Sequence, residues 1–268
     1  MGFDLHTHSI YSDGLLTPFQ LLEKTKEVGL EGIALTDHDS VEGLPEFSKI
    51  GKDQGIIAIP GVELSTEYQG TESHILGYGI NYHDPKLLSC LNRVLLSRKI
   101  RAERILHLLA RQGIELAWQD IMKDAPGGFI GRFQIYRAMK EKGYIDEDRD
   151  KKAFHYYLGP QGVAYVAHHE LSSIEAIKLI KEVGGVSVLA HPGRSVQHKM
   201  IKFLADNGLE GIEVFYPEHT PAMIQEYLLL AEQLGLLVTG GSDFHGLPEE
   251  RKLGEAVVER KYIEKLLY

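Results

Sequence analysis

The chain has 268 residues, 43% of them hydrophobic, and a formal net charge of −9, which suffices for a full core without disulfides and disfavours a broad duplex-DNA interface. Its single cysteine, Cys90, excludes an internal disulfide and sits in an amphipathic helical stretch as a core thiol. No basic, apolar leader opens the sequence and no apolar run reaches about 18 residues, so a cytoplasmic location without membrane insertion is expected.

Taken in chain order, short β-rich runs are predicted at 3–5, 32–35, 56–59, 75–79, 186–190, 211–215 and 236–239. Amphipathic helices alternate with them. The stretch 18–28 carries Phe19, Leu21, Leu22 and Val28, and 173–183 carries Ile174, Ile177, Leu179 and Ile180. Such βα alternation predicts parallel strands wrapped by helices. From about 81 to 170 it stops, and helical sequence takes over, beginning with the long periodic stretch 85–111. The expected organisation is therefore a first barrel part over 1–80, a helical insertion over 81–170 that is a candidate substrate lid, and a second barrel part over 171–268.

Nine side chains able to bind metal punctuate these runs: His6, His8, Asp13, His38, Glu63, His74, His191, Asp243 and His245. His6 and His8 stand at i and i+2, a spacing that turns both imidazoles to one face of an extended segment. His8, His38, Glu63, His191 and Asp243 each follow a predicted strand, where β/α barrels assemble active sites from separate loops; His74 stands instead at a strand's start. Glu213, inside the sixth run, is a further acidic residue with no motif around it. Mixed imidazole and carboxylate donors suit zinc, manganese or iron rather than magnesium or calcium. Singly, these residues have ordinary readings: Asp13-Gly14 as a turn, Asp39 or Ser40 as a helix cap, Gly241-Ser242-Asp243 as a loop chosen for its backbone. Their joint placement at successive strand ends instead indicates a metallohydrolase.

At Asp4-Leu5-His6-Thr7-His8, Thr36-Asp37-His38-Asp39, Glu63, His74, His191-Pro192 and Asp243-Phe244-His245, the chain resembles the PHP family, named for polymerase and histidinol phosphatase domains. The resemblance implies an α/β fold, a distorted (β/α)7 barrel carrying a helical insertion. It also implies a trinuclear centre, three divalent ions per chain. His6, His8, Glu63 and Asp243 would hold the first metal, Glu63, His74 and His191 a second, and Asp13, His38 and His245 the third. Histidinol phosphatases of this family commonly have histidine where Asp13 stands, which makes histidinol phosphate a less favoured substrate. Residues 131–138 and 157–160 resemble the branch with nucleoside 3′,5′-bisphosphate phosphatases and a 5′ to 3′ exoribonuclease, in which histidine is common where Gln134 stands.

The expected activity is metal-dependent hydrolysis of a phosphate ester of a nucleotide, such as a nucleoside 3′,5′-bisphosphate or the 5′ end of short single-stranded RNA. One alternative is a phosphatase or phosphodiesterase for another small phosphate such as a cyclic ribose phosphate; another is a non-catalytic metal-binding accessory module. Glu63, Asp243 and His245 are the expected catalytic residues. Arg194, Arg132 and Arg137 are candidate phosphate contacts, because guanidinium binds phosphate through paired hydrogen bonds. Arg98, Arg101 and Arg104 form a basic strip read as a solvated helix face, with guidance of RNA as its functional alternative. Trp118, Tyr136, Tyr156 and Tyr157 are read as packing residues rather than base-stacking ones.

Overall fold

Hydrophobic β-branched runs buried on both faces build the centre of the molecule. The structure is a computed structural model that describes residues 2–123, 125, 127–145, 152–167, 170–194, 198–247 and 251–267, without the side chains of Arg194 and Leu267. The chain runs through β1 (Phe3–Asp4), α1 (Pro18–Glu27), β2 (Gly32–Leu35), α2 (Leu44–Gln54), a long β3 (Ile57–Tyr68) and β4 (Thr71–Tyr78). Four helices follow, α3 (Pro85–Ala110), α4 (Trp118–Met122), α5 (Arg132–Glu141) and α6 (Ala153–Leu158). Then come α7 (Ser173–Glu182), β5 (Val186–Leu189), α8 (His198–Asp206), β6 (Gly211–Phe215), α9 (Pro221–Leu234), β7 (Leu237–Gly240) and α10 (Arg260–Leu267).

The seven strands form one sheet in sequence order, β1 to β7. It curls into a nearly closed barrel, as the motifs implied. Its edges meet where Leu5 N–H donates to the Gly240 carbonyl at 3.1 Å and His8 N–H to the Phe244 carbonyl at 2.9 Å. Gly241 lets this seam close, since a Cβ there would lie 2.4 Å from the His6 backbone nitrogen.

Uniformly parallel pairing does not hold. β1, β2 and β3 are parallel, as are β5, β6 and β7, but β4 is antiparallel to both β3 and β5. The cause is a hairpin: Gln69 and Gly70 have φ of 49° and 81°, the pair of positive angles that a two-residue type I′ turn demands. Pro60 and Gly61 read as chain punctuation, yet Pro60 pairs with Leu35 and the strand continues to Tyr68. Reversal of β4 brings its beginning to the same barrel end as the carboxyl ends of its parallel neighbours. His74 therefore lies among the strand-end residues, and Glu63 lies inside β3 rather than after it.

Inside the barrel, Leu5, Ala34, Leu76, Tyr78 and Val188 pack together, and Tyr78 donates its hydroxyl to the Leu5 carbonyl at 2.9 Å. A second cluster, including Leu64, Ile75, Ile180 and Ile212, fills the space between strands and outer helices, with half-buried Cys90 at its margin. Ile105, Leu109, Ile135, Met139 and Leu158 form a separate cluster among α3, α5 and α6. The inward stripe of α3 runs Leu87, Leu91, Val94, Arg98, Arg101, Ala102, Ile105 and Leu109, spaced three and four apart as a helix face requires. This corrects the solvated-face reading: Arg98 and Arg101 are 6% and 8% exposed, and only Arg104 of the three points outward.

Candidate metal centre

The segment after β1 supplies two imidazoles on one face. His6 Nδ1 lies 3.1 Å from Glu213 on β6; a carboxylate can only accept there, so Nδ1 carries a proton and Nε2 is the nitrogen turned to the cluster. That Nε2 faces Glu63 Oε2 at 3.0 Å and Asp243 Oδ1 at 3.5 Å. His8 Nε2 lies 3.2 Å from each of the same two oxygens. His38 Nδ1 is 3.2 Å from Glu63 Oε2, while His74 Nδ1 and His191 Nε2 approach Oε1 at 2.8 and 3.2 Å. On the other side, Asp13 meets His245 Nε2 at 3.2 Å, His8 Nδ1 at 3.7 Å and His38 Nε2 at 3.9 Å.

The nine side chains singled out in the sequence thus converge, and they do so around Glu63. Three close-set groups could each hold an ion: His6, His8, Glu63 and Asp243; His8, Asp13, His38 and His245; and His38, Glu63 and His74. His8 and His38 are shared more widely than the family resemblance implied, and His191 approaches Glu63 outside these groups.

Divalent cations fit this donor set. His8 Nε2, His38 Nδ1 and Asp13 Oδ1 are buried with no hydrogen-bond partner among the described residues, although carboxylate oxygens lie 3.2 Å from both imidazole nitrogens. Donor atoms that converge without sharing protons mark the seat of a positive ion.

Without an ion, protons take up part of that role. Burial opposes charge on His6 and His8, but the surrounding carboxylates outweigh it, lifting His6 well above the usual imidazole range and His8 to about 10. His74 is likewise pushed up to about 10 against burial by Glu63 and Glu72, and His245 is raised by Asp13. For His38 burial wins, lowering it to about 4. Burial would raise the Glu63, Asp243 and Asp13 carboxyls, yet the imidazoles hold all three far below the ordinary range.

Several residues without a metal-binding signature hold this arrangement. Asp37 accepts from Ser9 N–H at 2.7 Å and from the Ser9 and Ser12 hydroxyls at 2.6 Å, pinning the loop that carries Asp13. Gln134 of α5 donates to the Ser12 carbonyl at 3.0 Å, tying that helix to the loop. Asp243 Oδ2 accepts from Tyr216 Oη at 3.1 Å and from Arg251, whose guanidinium lies over the Tyr216 ring. His191, Asp243 and Asp39 adopt positive φ of 27°, 55° and 48°, an unfavourable backbone region that persists only where surroundings enforce it. Asp37 sits in a visible motif; Glu213, Tyr216 and Arg251 carry no local signal.

Above the cluster opens a cavity of about 270 Å³, walled on the far side by α3 and α5. Arg98 is not available there as a phosphate clamp, because its guanidinium binds Asp39 Oδ2 through Nε and a second nitrogen at 2.8 and 2.6 Å, and stacks on Phe129. Arg101 differs. Its Nε donates to the Val166 carbonyl at 2.7 Å, and no carboxylate among the described residues pairs with it. Burial first, then neighbouring Arg132 and Arg98, lower its pKa to about 10. Arg132 also lines the cavity, 3.2 Å from Glu72. Arg137 is on the same helix but is not among the lining residues, and the Arg194 side chain lies outside the described part. The aromatic rings that do line the cavity are Phe129, Phe133 and Phe154, not Trp118, Tyr136, Tyr156 or Tyr157. No helix among the described residues is long and apolar enough to cross a membrane.

A family model described as the PHP domain matches residues 4–154. The chain is 34% identical over 252 residues to the 5′-3′ exoribonuclease Rnm of Salmonella typhimurium, covering 91% of this chain and 85% of that one. It is 33% identical over 252 residues to the 3′,5′-nucleoside bisphosphate phosphatase of Chromobacterium violaceum, covering 91% and 87%. Among solved structures, a protein of Bifidobacterium adolescentis assigned as a metal-dependent phosphoesterase superposes with a TM-score of 0.92 at 28% identity, covering 100% of this chain and 96% of that one.

Proposed function

Since the chain belongs to the PHP family and is a metal-dependent phosphoesterase, we propose that its substrate is a nucleotide carrying more than one phosphate, a nucleoside 3′,5′-bisphosphate or the 5′-phosphorylated end of a short single-stranded RNA. The observation that carries this reading is the pairing of the imidazole and carboxylate cluster with Arg101, a buried cation in the same cavity with no carboxylate within ion-pair distance among the described residues. A second phosphate supplies the missing anion. Phe129, Phe133 and Phe154 offer ring faces for the base.

We assign three divalent ions, of manganese, zinc or iron, to the nine side chains. When bound, such ions polarise the phosphoryl oxygens and make a water acidic enough to attack near neutral pH. Glu63 places its two oxygens between imidazoles from four different segments and so fixes the spacing of the whole centre. Glu213 fixes the tautomer of His6, and Tyr216 with Arg251 fixes the rotamer of Asp243. Asp39 neutralises Arg98, which leaves Arg101 and Arg132 to orient the substrate. Helices α3 to α6, the insertion proposed for 81–170, then serve as the substrate-binding wall.

The test is phosphate release by protein supplied with manganese, zinc or iron, from adenosine 3′,5′-bisphosphate, mononucleotides, histidinol phosphate, a cyclic ribose phosphate and a 5′-phosphorylated RNA oligomer, with Glu63→Ala as control. Turnover of the bisphosphate or RNA that vanishes in the control supports the reading. Turnover confined to the other esters overturns the substrate.

A further inference from the structure

On the outer side of Arg101 lies a second depression, of about 330 Å³, formed by α3 and the segment around Val166. Arg101 lines both this groove and the inner cavity, so the two depressions adjoin at that side chain. The groove combines two features unusual on the surface of a chain with net charge −9. Leu96 and Ile100 present apolar side chains at 59% and 45% exposure. Arg93 and Arg104 flank them, exposed, and no carboxylate among the described residues forms an ion pair with either; Arg93 donates instead to Cys90 Sγ at 3.7 Å. Glu170, the acidic group in the wall, accepts from the Ser97 hydroxyl at 2.7 Å. Positions 93, 96, 100 and 104 follow one helical stripe, about 16 Å long at 1.5 Å per residue.

We propose that this groove binds the continuation of a single-stranded oligonucleotide whose 5′-terminal nucleotide occupies the inner cavity. The proposal rests on the nucleotide reading above and adds a second subsite to it. Arg101 contacts the phosphodiester that joins the two subsites, Arg93 and Arg104 contact the backbone beyond it, and Leu96 with Ile100 supplies an apolar seat for a base. Proteins that hold single strands without reading sequence pair a cationic groove along the backbone with flat surfaces for the bases, usually aromatic rings; here aliphatic side chains offer that surface.

The experiment measures binding of metal-loaded protein to 5′-phosphorylated, phosphorothioate-linked oligoribonucleotides of increasing length, labelled at the 3′ end, by fluorescence anisotropy. Affinity should rise about tenfold or more from one nucleotide to three and then level off. Arg93→Glu combined with Arg104→Glu should erase most of that rise and lower the slope of log affinity against log salt by about 1.4, for two phosphate contacts on a single strand. Leu96→Asp, a separate surface change, should erase part of it. Binding of adenosine 3′,5′-bisphosphate should be unchanged in these variants. Length-independent affinity in the unaltered protein, or a rise that survives in the double variant, overturns the groove. If the rise is present but no phosphate ester is hydrolysed, the groove stands and the catalytic reading falls.

Discussion

Glu213 accepts the Nδ1 proton of His6 at 3.1 Å and, through its other oxygen, the backbone N–H of His191 at 2.7 Å. A fully buried strand glutamate therefore sets the orientation of one candidate ligand and the backbone of another. Partners of this kind typically alter metal affinity by about 10- to 100-fold when removed. Glu213→Gln should weaken metal binding by that order, measured by competition with a chromogenic chelator. Affinity equal to that of the unaltered chain would remove Glu213 from the centre.

Glu63 touches imidazoles from every side of the cluster, so no neighbour can replace it. Glu63→Gln keeps the volume but removes the charge. A fall of about 10³-fold or more in phosphate release is expected, the scale of losing a principal electrostatic contact. Turnover within tenfold of the unaltered enzyme would contradict this.

Protonation and metal binding should oppose one another. In the metal-free chain, the raised pKa values of His6, His8, His74 and His245 contribute stability that is fully present below about 6.5 and lost as pH rises through the raised values, about 10 for His8 and His74. The depressed carboxyls of Asp13, Glu63 and Asp243 contribute stability present above about 4.5 and lost as pH falls further. His38, held neutral down to about 4, acts against stability below 6.5. Thermal melts of metal-free protein should thus weaken from pH 7 to 9.5. Metal affinity should climb over the same interval, about tenfold per pH unit for each proton displaced. A pH-independent affinity would show that the imidazoles are already neutral.

Arg101→Ala should raise KM for adenosine 3′,5′-bisphosphate by about 10- to 100-fold, the equivalent of about 1.5–3 kcal/mol for hydrogen bonds to a charged group. A substrate with one phosphate, such as p-nitrophenyl phosphate, should be much less affected. Equal losses on both would place Arg101 elsewhere in the reaction.

Arg98→Ala should destabilise the fold by about 3–5 kcal/mol, because it strands buried Asp39 without its partner. Adding Asp39→Ala should recover part of the loss, as read from urea unfolding. A single variant as stable as the parent would mean that water reaches Asp39 freely.

The barrel and the strand-end position of the cluster are legible in the sequence because both follow from local patterns, short hydrophobic β-rich runs and motifs such as His6-Thr7-His8. The direction of β4 is not, since it depends on two residues, Gln69 and Gly70, while Pro60 and Gly61 break the hydrophobic run that would have revealed β3. Arg98 and Arg101 are read as solvent-facing from their charge alone; their burial depends on Asp39, the Val166 carbonyl and Phe129, all distant in sequence. Glu213 and Tyr216 act by contacts between separate strands and loops, which no short window of sequence contains, and Arg251, eight residues from Asp243, has no motif around it.

The seam between β1 and β7 gives the molecule an order in time. His6 and His8 follow β1, and Asp243 and His245 follow β7, yet they meet across that seam. A growing chain therefore carries seven of the nine candidate ligands before β7 is made and completes the set only with the residues that follow that strand. An ion that spans the seam ties distant parts of the chain into one loop, so the folded barrel and the loaded centre should be won or lost together, with no active fragment between them.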